Sequence, residues 1–96
     1  MTLTLPKINS SFDLSYMISL EKLELLIIIG KRIQNIRISQ GLSQVDLVGK
    51  IEGRIDTTNI SRIESGRTNP TLFTLYRISE ALEVSISELV NTDSTI

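Results

Sequence analysis

The chain has no cysteine, no histidine and no tryptophan among its 96 residues. Without cysteine there is no disulfide framework and no thiolate metal site, which fits a reducing cytosol. Without histidine or cysteine, neither a zinc centre nor a histidine-dependent nucleophilic triad can be assembled. Carboxylates remain, but they are scattered and form no acid pair, and no phosphate-binding loop appears. An enzyme is not expected, and neither is a metal or other cofactor. Long apolar runs are missing too. The most apolar stretch, Leu25-Leu26-Ile27-Ile28-Ile29, falls far short of the ~18 residues that a membrane span needs. The opening "MTLTLPKINSS" lacks a basic start followed by an apolar stretch, so no signal peptide is expected. A cytoplasmic location follows as an expectation.

What is present suits one small helical domain. Hydrophobic residues make up 41% of the chain, enough for a single core and too many for global disorder. Residues 1–18 hold Pro6, several serines and no sustained period, and read as a flexible arm. From Ser19 the pattern changes. Leu23, Leu26, Ile29, Ile33 and Ile36 recur at three- and four-residue steps, one face of a helix that Gly41 stops. Gly30 is a weak point within it. Leu25, Ile27 and Ile28 lie off that face, either as a second core surface or as a partner contact.

Four shorter helices follow. Ser43 and Asp46 form a capping box ahead of Val45, Leu47, Val48 and Ile51, and Gly53 ends that helix. Asp56 caps the next, whose inner face is Ile60 and Ile63 and whose stop is Gly66. After Asn69-Pro70-Thr71 the pattern restarts with Leu72, Leu75, Ile78, Ala81 and Leu82. Ser85 and Glu88 then open a short fifth helix carrying Leu89 and Val90, and residues 92–96 read as a frayed tail. The domain therefore spans residues 19–91. The close pair at 43–65 is a helix-turn-helix candidate.

The second helix of such a pair enters the DNA major groove. Opposite Ile60 and Ile63 the helical period gathers Thr57, Thr58, Ser61 and Arg62. Arginine can contact guanine in bidentate fashion, and threonine offers a hydroxyl and a methyl. Any surface helix also shows polar residues opposite its apolar ones; it is the position after a capped helix and a turn that favours the DNA reading. Charge agrees. The formal net charge is only −1, yet residues 31–77 hold eight lysines and arginines against four acids. Ser43 and Gln44 at the start of helix two, with Arg67, Thr68 and Asn69 after helix three, are candidate phosphate contacts.

The runs "GKRIQNIRISQGLSQVDLVGKI", "NISRIESGRTNP" and "TLYRISEALEVSISELV" resemble the phage repressor and Cro family of lambda-repressor-like DNA-binding domains. The resemblance covers about residues 28–90 and implies an all-α, five-helix fold with an N-terminal extension. It implies a sequence-specific, double-stranded-DNA-binding transcriptional regulator, a homodimer on a near-palindromic operator. Thr57, Thr58, Ser61 and Arg62 match the family's base-reading positions, and Gln44 its phosphate-binding glutamine. Arg37 and Glu64 match a largely buried ion pair between helices one and three. For the dimer contact the resemblance points to helix five, with Ile86, Leu89 and Val90; the N-terminal extension is the other candidate. The segment "KIEGRID" makes the turn before helix three longer than usual for the family by about two residues. No sensor or protease segment follows, so control by cleavage or by ligand is not expected. The alternative function is an antitoxin-like or other protein-binding module that holds a partner through residues 1–29.

Overall fold

The computed structural model describes residues 11–92, with side chains from Leu14 onward. Among these residues the chain is entirely helical in its regular structure: α1 Ser11–Ser39, α2 Gln44–Lys50, α3 Thr57–Glu64, α4 Leu72–Leu82 and α5 Ile86–Leu89. Residues 1–10 of the expected arm and 93–96 of the expected tail lie outside the described part. No helix among the described residues is long and apolar enough to cross a membrane.

The expected boundaries need two corrections. α1 begins at Ser11 rather than Ser19, so residues 11–18 are helical. Nothing in that segment breaks a helix; its apolar residues simply do not keep to one side, which hides the period. α2 ends at Lys50, three residues before Gly53. Ile51 turns extended (φ −86°, ψ 125°) and so drives its side chain into the core.

The caps follow local chemistry. The Ser43 hydroxyl accepts from the Asp46 backbone N–H at 3.0 Å, and the Asp46 carboxylate accepts from the Ser43 N–H at 2.9 Å. These bonds hold the Asp46 carboxyl below its ordinary value. Asp56, Thr71 and Ser85 each accept from the backbone N–H three residues on. Gly41 and Gly66 end their helices at φ +73° and +76°.

One core holds the five helices together. Ile33 of α1, Leu47 of α2, Ile60 and Ile63 of α3, Leu75, Ile78 and Leu82 of α4 and Leu89 of α5 are buried in it. Three apolar residues expected on inner faces are instead exposed: Leu23, Val45 and Leu72. Leu23 lies at the rim of an open groove between α1 and the loop after α3. Val45 and Leu72 sit in the first turns of their helices, where the chain has just entered from a surface loop. Leu25 is also exposed, and Ile27, although 48% exposed, lies against the buried Gly66 at the end of α3.

Gly30 is more than a weak point. It is buried where α1 crosses the end of α3, and a Cβ there would overlap the carbonyl oxygen of Ile63 and stand 2.7 Å from that of Glu64. The absence of a side chain lets the two backbones touch.

The long turn between α2 and α3 is pinned at both ends. Ile51 is buried and Ile55 packs against the core, while Glu52, Gly53 and Arg54 are exposed between them. The extra length is therefore taken up on the outside. Gly53 adopts φ +103°, with the Arg77 guanidinium packed directly against it.

Candidate nucleic-acid interface

α3 is built to show one face. Its eight residues bury Ile60, Ile63 and Glu64 and leave Thr58 and Arg62 exposed, with Thr57 and Ser61 at the edge. Gln44 at the start of α2 and Arg67 after α3 come to the same place. Gln44, Thr57, Thr58, Ser61, Arg62 and Arg67 line a single open depression. All four candidate base-reading residues are thus together, flanked by two of the five candidate phosphate contacts.

The other three are placed differently. Thr68 and Asn69 line a neighbouring groove between the post-α3 loop and α1, shared with Ser19, Lys22, Leu23 and Leu26. Arg67 lines both surfaces, with its Nε donating to the Ser65 hydroxyl at 2.9 Å. Ser43 does not line the depression. Its hydroxyl oxygen and its backbone N–H are both engaged in the capping box, so the start of α2 reaches outward through Gln44.

Behind this face lies a buried polar node. Arg37 Nε donates to Glu64 Oε2 at 2.6 Å, and Arg37 Nη2 donates to Glu64 Oε1 at 3.0 Å. Arg37 Nη1 donates to the Leu42 carbonyl at 2.7 Å. The two residues are 7% and 5% exposed, so the pair is buried. The hydrogen bonding that Arg37 donates to Glu64 pushes the Arg37 pKa up against the opposing effect of burial. Gln44 joins the node, with Nε2 donating to Glu64 Oε1 at 3.0 Å. One carboxylate therefore ties α1 to α3 and also aims the side chain at the mouth of α2. Sequence patterning does not reveal that second link, because it depends on where two helix ends meet in space.

Several central cations prove to be structural. Arg32 Nε donates to the Glu88 carbonyl at 2.6 Å and fastens α1 to α5. Arg77 lies over the Phe73 ring, 5.5 Å from its centroid, and backs the long turn; its Nη2 is buried without a hydrogen-bond partner among the described residues. Arg54 points to a different hollow, lined by Ile55, Asp56 and Asn59. The positive surplus of the central segment therefore overstates the charge at the depression, which Arg62 and Arg67 line, while Lys22 from outside that segment lines the adjoining groove.

Leu89 is removed from the dimer candidates. It is 0% exposed and belongs to the core, because the single turn of α5 points it inward against α1 and α4. Ile86 is partly buried against the same core, and Val90 is 38% exposed.

Residues 33–89 match the helix-turn-helix family model HTH_3. The chain is 36% identical over 69 residues to an uncharacterized HTH-type transcriptional regulator, y4dJ, of Sinorhizobium fredii (strain NBRC 101917 / NGR234), covering 71% of this chain and 87% of that protein. Among solved structures it resembles the restriction-modification controller protein C.AhdI from Aeromonas hydrophila, with 28% identity and a TM-score of 0.63 over 67% of this chain and 94% of that one. It also resembles the DNA-binding domain of BldD, with 26% identity and a TM-score of 0.64 over 71% of this chain and 96% of that one. These likenesses favour a regulator over the antitoxin-like alternative. A lambda-repressor-like fold, a capped helix pair and a polar recognition face in one chain make it a member of the helix-turn-helix family of DNA-binding transcriptional regulators.

Proposed function

We propose that α3 enters the major groove and reads bases through Thr57, Thr58, Ser61 and Arg62. Gln44 and Arg67 hold the flanking phosphates, and Thr68 and Asn69 extend that grip along the adjoining groove. The observation that carries this reading is the single depression in which recognition and phosphate candidates meet. Bases confer specificity there, while the flanking contacts set register. One domain of this size reads a half-site, so the working form is a homodimer on a near-palindrome.

Selection of bound sequences from a random DNA pool tests the reading. The wild-type chain is expected to enrich a two-fold-related motif. Arg62→Ala should relax preference at one position of each half-site, by about 1–3 kcal/mol. An unchanged preference in that variant removes Arg62 from the base-reading set.

Arg67→Ala is expected to behave differently. Without that cation on the phosphate, binding should weaken at all sequences alike. The slope of log affinity against log salt should also fall, by about one for each half-site. Titrations over a series of salt concentrations read that slope directly. Gln44→Ala carries no charge change, so uniform weakening with an unaltered slope is its signature.

A further inference from the structure

α1 reaches well beyond the segment that matches the family model. That match begins at residue 33, whereas α1 begins at Ser11. The earlier part of the helix forms one wall of the groove beside the recognition depression. Ser19 and Lys22 stand on that wall, and Arg67, Thr68 and Asn69 on the other. With a volume of about 690 Å³ against about 410 Å³, the groove is larger than the depression it adjoins.

We infer that this groove takes the DNA sugar-phosphate backbone as it leaves the recognition depression, with Lys22 of α1 as a phosphate contact. The inference rests on the proposed DNA reading and extends its footprint onto a part of the chain outside the family match. Arg67 lines both surfaces, so a strand held in one runs on into the other. Charge agrees. Neither surface has an aspartate or glutamate among its described lining residues, and together they hold Lys22, Arg62 and Arg67. The hollow behind the long turn, by contrast, carries Glu52 and Glu80. The hydrogen-bonding chemistry is also complementary. Lysine and arginine side chains only donate, and phosphate oxygens accept. The hydroxyls of Ser19 and Thr68 and the Asn69 amide can donate as well, while Leu23 and Leu26 offer apolar surface to the sugars.

The helical period leaves Lys22 available for this role. The residues three and four positions away are Ile18, Ser19, Leu25 and Leu26, and none is a carboxylate that could hold it. Glu21 and Glu24 fall on the opposite side of α1 from Ser19, Lys22 and Leu26. Lys22 is exposed and has no ion-pair partner among the described residues.

Salt titrations of the full chain on its selected DNA motif test the inference. Lys22→Ala is expected to keep the wild-type motif and helical circular dichroism, since the site is exposed and alanine is the better helix former. Its slope of log affinity against log salt should fall by about one for each half-site. The wild type's advantage over it should therefore shrink about threefold to fourfold per half-site between about 50 and 200 mM salt. Lys22→Arg should keep the wild-type slope. Lys31→Ala removes a cation from the opposite side of the same helix and should also leave the slope near wild type. Ethylation interference adds a readout that charge at a distance does not move. At least one phosphate beside the motif should be required by the wild type and not by Lys22→Ala. An unaltered slope for Lys22→Ala, an equal fall for Lys31→Ala, or identical interference patterns overturns the inference and leaves the groove to a protein partner. In those cases a retained motif keeps the DNA reading intact. A wild type that enriches no motif from a random pool sinks that reading and this contact together.

Discussion

Glu64→Ala is expected to destabilise the domain by about 3–5 kcal/mol, because it strands a buried guanidinium. Arg37 stays charged at any pH at which the protein is handled, and its pKa is raised by the partner it would lose. After the substitution the Leu42 carbonyl is the acceptor left to it among the described residues. A small domain has roughly 5–15 kcal/mol of stability in all. At about 4–8 °C per kcal/mol for a chain of this length, the midpoint of thermal unfolding should fall by more than about 10 °C. Circular-dichroism melts of the two proteins in one buffer check this. A shift of only a few degrees would mean that the pair is effectively solvated.

A double variant separates stability from recognition. Arg37→Met with Glu64→Leu removes both charges and supplies apolar volume, and buried pairs replaced this way often regain or exceed the original stability. Gln44 nevertheless loses the carboxylate that holds its Nε2. The double variant is therefore expected to melt near the wild type while binding DNA more weakly at every sequence. Recovery of stability and affinity together would show that Gln44 needs no anchor.

The two links of that node were unequally legible. Arg37 and Glu64 are separated by twenty-six residues in the chain, and only the family resemblance joins them. Caps and stops were easier. Ser43 with Asp46, Asp56, Gly41 and Gly66 act through neighbours within a few residues, so their chemistry is local and the sequence displays it. Inner faces were legible where a helix packs on one side, as for Ile60 and Ile63 or Leu75, Ile78 and Leu82. They failed on the first half of α1, where apolar residues sit all round and no single period stands out. They failed again in the one turn of α5, too short for a period to say that Leu89 points inward. The exposed face of α3 was legible because it is the complement of a well-defined buried face. How Arg67, Thr68 and Asn69 divide between two grooves was not, because that depends on the path of α1 beside the loop.

That path makes Gly30 the second position where a large effect is expected, and the sign is what makes it diagnostic. Within a helix, glycine to alanine ordinarily stabilises by about 0.5–1 kcal/mol, through lower backbone entropy in the unfolded chain. Gly49→Ala in α2 should behave that way, since a Cβ there meets nothing within 4 Å. Gly30→Ala should reverse the sign. The obstructing atoms are the carbonyl groups of Ile63 and Glu64, which are backbone and have no rotamer into which to retreat. Overpacking of this kind costs about 1–3 kcal/mol, occasionally more, so it outweighs the propensity gain. Relief requires α1 to move away from the end of α3, which strains the Arg37–Glu64 bond and tilts the recognition helix. Urea titration should show a lower midpoint for Gly30→Ala and a higher one for Gly49→Ala, with similar slopes. DNA affinity should fall in the first variant by more than its unfolded fraction explains. If both alanines stabilise, α1 and α3 are not in backbone contact, and the recognition helix is not held by this crossing.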